Sequence, residues 1–472
     1  MKIPLKNTLL SAILLINTSL QLHSDTTAAF SQSIEKLLKN NSLYNGANVG
    51  IVIYNLDQNQ PVYSKNENTL LRPASIMKVI TTYCALKKLG SNFTFKTPVY
   101  LDKNLDNKNN TYNGNIYVQG MGDPSIMLEN IDAFCQKLKA AGINKINGKI
   151  IYDVSNFDEE NIRFFPLARN LYAPPAALCF NLNCIELKLI EKPSVKIIPS
   201  PETSYAKFDA KLKIENSNRS SIPEMTVTMK DDYDSFVIRG TVTNWTKAIK
   251  CLSVAVARPG LYFATVLKER LEKNYIDFNG AILKDKIDPT GLPMFYEIES
   301  KPLIEILKTM NRQSNNVIAE NLGKYMGMSE FGAPGTREKG LRSITNVLVD
   351  SGIDKNAFYI ADACGLSAES KITPDMMIKT LSTLYNNPEW QNLVIDSFDP
   401  KEYGGLQCFV KTGTLSSTGV NSLAGYIKSG STGKYYAFCI IVNKASGSKA
   451  WSGTYTTPLI LKMTELIKTN KL

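Results

Sequence analysis

Residues 76–89, "IMKVITTYCALKKL", place apolar side chains at 76, 79, 80 and 83, the spacing of one helix face, and Gly90 is a natural stop. Residues 303–327, "LIEILKTMNRQSNNVIAENLGKYMG", read as helix, break, helix, with Ser314-Asn315-Asn316 at the break. Strand patterns stand at both ends of the chain. "ANVGIVIYNL" and "QPVYSK" flank Asp57-Gln58-Asn59, a hairpin signal. Late in the chain, "LQCFV" reads as a strand that Lys411-Thr412-Gly413 follows, and "SLAGYIKSG" and "YYAFCIIVNKA" resume the pattern. "TTPLILKMTELIKTN" predicts a closing helix. Between about 96 and 284 the chain is strand-rich, broken by turn clusters such as "DKNLDNKNN" and "ENSNRSS". No repeat or low-complexity segment interrupts it.

With 472 residues, 43% of them hydrophobic, the chain can bury a large core in two or three domains. The balance of 54 Lys+Arg to 43 Asp+Glu gives a net charge of +11 without a block of like charges. A diffuse positive surface of this kind suits an anionic polymer or a membrane face, and no nucleic-acid patch is expected. Residues 1–24 hold Lys2 and Lys6, then an apolar stretch interrupted by Asn17, Thr18 and Ser19. That pattern predicts a cleaved secretory signal rather than an anchor, hence a periplasmic protein, soluble or peripherally associated with the membrane.

Eight cysteines, at 84, 135, 179, 184, 251, 364, 408 and 439, include no C-x-x-C pair. Most sit in apolar strings and are expected to be buried thiols. Cys179 and Cys184 are close enough to ask about a bridge, and none is expected; nor is a zinc site. The only histidine, His23, lies in the signal. A Ser-His-Asp triad, a Cys-His dyad and an H-E-x-x-H site are therefore excluded from the mature chain, and no metal or cofactor is expected. A hydrolase built from this sequence must take its base from another residue type.

Ser75 opens the helix of 76–89 and Lys78 stands one turn on. Positions i and i+3 share a helix side, so the two can meet. A serine there also faces the free N–H groups of a helix start, which favour developing negative charge. A buried lysine beside another cation loses proton affinity and can serve as a base. The plain alternative is an N-cap serine beside a solvated lysine. Four other S-x-x-K strings, starting at Ser33, Ser204, Ser431 and Ser446, open no comparable helix. At the second break, Ser314 and Asn316 can point into a cleft, or the segment can simply cap the following helix. The third segment, Lys411-Thr412-Gly413, offers a close backbone approach at Gly413, or a plain strand-end turn.

Taken in order, S-x-x-K, S-x-N and K-T-G form a known set of serine acyl-transfer motifs. Ser314 stands 236 positions after Lys78, far more than a compact β-lactamase needs. "VQGMGDPSI", "YAPPAALCFNLNCIEL", "DACGLS" and "VKTGTLSSTGVNSLAGYI" make the chain resemble, end to end, the class C low-molecular-mass penicillin-binding proteins of the type 4 family, which are D-alanyl-D-alanine carboxypeptidase/endopeptidases. The resemblance implies an α+β transpeptidase fold, shared with serine β-lactamases, in which helices flank an antiparallel sheet. The catalytic domain would take residues 25–95 and 285–472. The insertion 96–284 would form two further domains, the second nested in the first.

It also implies roles. Ser75 is the nucleophile and Lys78 its base. Ser314, Asn316 and Lys411 complete the catalytic set. Thr412 and Gly413 bind substrate, and the backbone N–H groups of Ser75 and Thr414 hold the oxyanion. Asp153 and Phe157 match contacts to the diaminopimelate end of a peptidoglycan stem peptide, and β-lactams would acylate Ser75. One departure stands out: after "GLS" relatives often carry arginine, and here the residue is Ala368, with Lys371 as a nearby candidate replacement. Three rivals share the scaffold. A β-lactamase would need a deacylating glutamate between the first two motifs, where no convincing E-x-x-L-N segment occurs. An esterase and a non-catalytic peptidoglycan-binding protein are the others.

Overall fold

The computed structural model describes residues 30–103, 110–159, 167–190, 195–215, 221, 223–243, 251–430, 432–444 and 453–469. The predicted signal with His23, and Ser431 and Ser446, lie outside them. No helix among the described residues is long and apolar enough to cross a membrane.

The elements around the three motifs, in chain order, are strands β1 (Asn48–Asn55) and β2 (Gln60–Lys65), helices α1 (Met77–Leu89), α2 (Leu303–Gln313) and α3 (Asn316–Phe331), strands β3 (Asp399–Tyr403), β4 (Leu406–Leu415), β5 (Val420–Lys428) and β6 (Tyr435–Asn443), and helix α4 (Thr457–Thr469). The described residues fall into two compact units. One takes those of Met1–Cys84, Asn311–Ser314 and Leu348–Leu472; the other takes those of Ala85–Met310 and Asn315–Val347.

The first unit is built on a six-stranded antiparallel sheet in the order β2-β1-β6-β5-β4-β3. The predicted hairpin joins β1 to β2. Asn55 accepts from the N–H groups of Asp57 and Gln58, and Asn59 takes the left-handed conformation the turn needs, at φ 52°. One sheet face buries Ile51, Ile53, Leu423, Phe438 and Ile440 against Leu459, Met463 and Ile467 of α4. On the other face the helix Pro374–Asn386 packs against β1 and β6, and Tyr426 of β5 donates to the Leu381 carbonyl. Strand β5 is buried along almost its whole length, as a central strand covered on both faces must be. The structure corrects one expectation. Strand β4 does not end before the K-T-G; it runs through Lys411, Thr412 and Gly413 to Leu415, paired with β5 throughout. The segment is mid-strand because its partner supplies backbone hydrogen bonds past the apolar run.

The second unit carries a five-stranded sheet in the order 282–284, 150–153, 116–119, 96–101, 294–299. Helices Leu128–Ala140 and Pro259–Lys273 cover it. Two three-stranded sheets follow within the same stretch of chain, 184–190 with 196–200 and 251–255, and 206–215 with 224–229 and 234–243. All share one apolar core, which includes Ile116, Phe134, Phe180, Phe236 and Phe263. The seven cysteines with described side chains are buried and none forms a disulfide, Cys179 and Cys184 among them.

Candidate active site

The approach to Ser75 is pinned to the sheet. Asn443 of β6 accepts from the Arg72 N–H and donates to the Arg72 carbonyl, and Ser422 of β5 donates to the Pro73 carbonyl. Ala74 is then driven to φ 50°, a conformation that a β-carbon disfavours, and residues 74–76 form a single 3-10 turn leading into α1. Ser75 is therefore half-buried on the turn, just ahead of the first full helical residue.

Lys78 is fully buried on the first turn of α1. Its Nζ lies 3.2 Å from Ser75 Oγ and donates to the Cys364 carbonyl at 2.7 Å. A solvated lysine beside a capping serine would show neither feature.

A second serine–lysine pair belongs to the same unit. Ser314 takes φ 54° between α2 and α3. The helix cap falls to its neighbour: Asn315 accepts from the Ile318 N–H at 3.0 Å. The capping alternative thus holds for the middle residue, and the Ser314 hydroxyl is left to Lys411, whose Nζ donates to it at 2.9 Å. Lys411 is 1% exposed and also donates to the Thr412 carbonyl. Burial presses its ammonium well below the usual lysine range, the Lys78 cation adds to this, and Asp399 opposes it.

Gly413 brings β4 against the nucleophile's turn. A β-carbon there would stand 3.0 Å from Ser75 N and 2.8 Å from the Pro73 carbonyl. Only glycine leaves strand and turn this close, so the backbones at 75 and 413–414 adjoin. Thr414 is fixed from β5, where Asn421 donates to its hydroxyl at 3.3 Å.

The remaining predicted residues belong to the second unit. Asn316 is largely buried and donates to the Leu171 carbonyl. Asp153 is 1% exposed, and its two oxygens accept from the N–H groups of Ser155 and Ile287. A direct ligand contact would have to replace or share one of these bonds. Phe157 is buried and lines a cavity of about 340 Å³ with Asp158, Pro174, Pro175 and Arg258. Lys324 of α3 pairs with Asp158 and holds this loop. In the first unit, Ala368 is half-buried, whereas Lys371 is exposed on a two-residue strand paired with Phe358–Tyr359.

Asn421, Ser422 and the Cys364 carbonyl escape motif reasoning. A signal for the first two was present: adjacent polar residues inside the apolar run "VNSLAGYI" need a reason to be buried. A backbone carbonyl leaves no such trace.

Comparisons with known proteins bear on the family and the fold. D-alanyl-D-alanine carboxypeptidase DacB of Haemophilus influenzae is 28% identical over 436 residues, covering 88% of this chain and 89% of that protein. The crystal structure of penicillin binding protein 4 from Haemophilus influenzae superposes with a TM-score of 0.75 at 26% identity, covering 92% of this chain and 99% of that one. The same protein complexed with a β-lactam gives a TM-score of 0.72 at 26% identity, covering 93% and 98%. The family model for D-Ala-D-Ala carboxypeptidase 3 (S13) matches residues 30–456, nearly the whole described chain. With its transpeptidase fold, this chain belongs to the D-Ala-D-Ala carboxypeptidase 3 (S13) family.

Proposed function

We propose that this protein is a serine D-Ala-D-Ala carboxypeptidase that acts on peptidoglycan stem peptides through an acyl-enzyme at Ser75, and that β-lactams acylate the same serine. One observation carries the reading. Two serine–lysine pairs, Ser75–Lys78 at 3.2 Å and Ser314–Lys411 at 2.9 Å, stand in one unit with both lysines buried, and burial presses the Lys411 ammonium toward its neutral amine.

Ser75 Oγ attacks the carbonyl of the penultimate D-alanine while the Lys78 amine takes its proton. The oxyanion accepts hydrogen bonds from the N–H groups of Ser75 and Thr414, each worth on the order of 3 kcal/mol. Ser314, tuned by Lys411, gives its hydroxyl proton to the departing D-alanine amine and takes back the proton that Lys78 received from Ser75, and Asn316 orients the acyl chain. Lys411, Thr412 and the open backbone at Gly413 receive the terminal carboxylate. An arriving carboxylate raises the proton affinity of Lys411, so the cation forms when it is needed. Water then releases the acyl-enzyme. A stem cross-link is also a D-alanyl bond, so the same steps give DD-endopeptidase activity.

Asp153 and Phe157 shape recognition of the diaminopimelate end, Asp153 by fixing the loop that carries Phe157. The inserted region 96–284 serves substrate choice rather than chemistry. The apolar, Lys-flanked start of the chain supports export to the periplasm, and the net charge of +11 suits peripheral contact with anionic wall or membrane.

Incubation with a purified cross-linked muropeptide tests the proposal. Free D-alanine and monomeric product, both lost in Ser75→Ala, are expected. A wild-type enzyme that releases neither would reduce the chain to an inert binder.

A further inference from the structure

The amine of Lys78 must be held as well as buried. It sits on a four-carbon stem, and its orientation toward Ser75 depends on what receives its other protons. Nζ donates to the Cys364 carbonyl at 2.7 Å, closer than its 3.2 Å approach to Ser75 Oγ. One residue earlier, the Ala363 carbonyl accepts from Thr81 Oγ1 at 2.6 Å. Thr81 lies one turn beyond Lys78 on α1, so two successive carbonyls point at one face of the helix.

Successive carbonyls in an extended chain point opposite ways, so this arrangement has to be imposed. Asp362 imposes it. Its carboxylate accepts from the Gly365 N–H at 2.7 Å with one oxygen and from the Ser367 N–H with the other. The two N–H groups are gathered to one side of the turn, leaving the carbonyls of 363 and 364 facing α1. Gly365 closes the turn at φ 81°, and a β-carbon there would strike the Ala74 carbonyl, beside the nucleophile. Asp362 is 6% exposed and both its oxygens are engaged within the loop. All these residues lie in one unit.

We infer that Asp362 is a positioning residue for the base: it turns the 362–367 loop so that the Cys364 carbonyl orients the Lys78 amine toward Ser75. The inference rests on the acyl-enzyme reading above. The carboxylate itself touches no reacting atom.

Acylation by a chromogenic β-lactam, resolved into pre-acylation affinity and the first-order acylation rate, tests it. Asp362→Asn keeps the volume but offers one acceptor where two are needed. The expected result is an acylation rate lowered about 10–100-fold with affinity unchanged and a fall in melting temperature too small to unfold the protein at the assay temperature, and a larger loss of rate in Asp362→Ala. Asp362→Glu, which restores both acceptors, should recover part of the rate. A folded Asp362→Ala that acylates at the wild-type rate would overturn the inference. So would a fall in affinity and melting temperature that accounts for the whole loss, because that is what a purely structural residue gives. Failure of the acyl-enzyme reading looks different: wild type itself would then take up no label.

Discussion

Lys411 Nζ lies 2.9 Å from Ser314 Oγ, and the cation bearing on it is Lys78, the partner of Ser75. The two serine–lysine pairs are thus electrostatically linked, the Lys78 cation opposing a proton on Lys411. Because the folded state holds the Lys411 pKa down, it declines a proton that the unfolded chain accepts below about pH 10.4. Stability from this source is present above that pH and is lost as pH falls toward the folded pKa. Lys411→Met removes the effect. Its melting temperature relative to wild type should therefore rise between pH 10 and pH 7, while its acylation rate falls on the order of 10²–10⁴-fold. Parallel melting curves for the two proteins across that range would contradict the assigned shift.

Penicillin should add once, at Ser75. Intact mass is expected to rise by one β-lactam, with peptide mapping placing it on the segment containing "PASIMK". The tethered leaving group obstructs water and no deacylating glutamate is evident, so the adduct should last minutes or longer. Ser75→Ala abolishes it, and alanine at Ser33, Ser204, Ser431 or Ser446 does not. Rapid turnover without an adduct would instead indicate a β-lactamase.

Gly413→Ala should damage chemistry and fold together. The new methyl group strikes the Ser422 hydroxyl and meets the Pro73 carbonyl and Ser75 N at 2.8 and 3.0 Å, so the Ser422 side chain and the turn must both shift. Overpacking of this kind costs about 1–3 kcal/mol. Acylation should slow by roughly 10²-fold, the scale of losing one oxyanion donor. An alanine variant acylating at the normal rate would separate the oxyanion site from this contact.

Asp123 carries a different pH dependence. Burial raises its carboxyl to about 6, although the Ser125 hydroxyl and N–H oppose this, and its second oxygen has no partner. A folded pKa above the unfolded one means that stability is full at low pH and declines as pH rises from about 4 to 6. Asp123→Asn should therefore be more stable than wild type at pH 8, by on the order of 3 kcal/mol at most, with the gain shrinking as pH falls from about 6 to 4. Urea titrations at pH 4 and pH 8 measure this. An equal difference at both would place the proton elsewhere.

Much of the site was legible because it is built from short local signals. The helix at Lys78, the break at Ser314 and the strand into Lys411 each follow from periodicity and a stop, and the i, i+3 spacing alone brings Ser75 to Lys78. The pairing of Ser314 with Lys411 was not legible, since strand order β5-β4 and the corner at φ 54° are settled by tertiary packing. The reach of β4 past its apolar run leaves no sequence signal for the same reason: polar residues stay in a strand when a neighbour pairs with them. For Asp153, residue type suggested a contact, whereas burial and two backbone donors show what its carboxylate holds.

The buried thiols amount to a set of internal clocks. Cys84, Cys364, Cys408 and Cys439 belong to the first unit and Cys135, Cys179 and Cys184 to the second. Burial shields each from alkylating reagents and raises the thiols at 135, 184 and 408 to about 12, so modification must wait for the surrounding structure to open. Pulse alkylation followed by peptide mapping would thus time the opening of each unit separately, with no introduced probe. Cys364 alone would report the loop that holds the Lys78 amine.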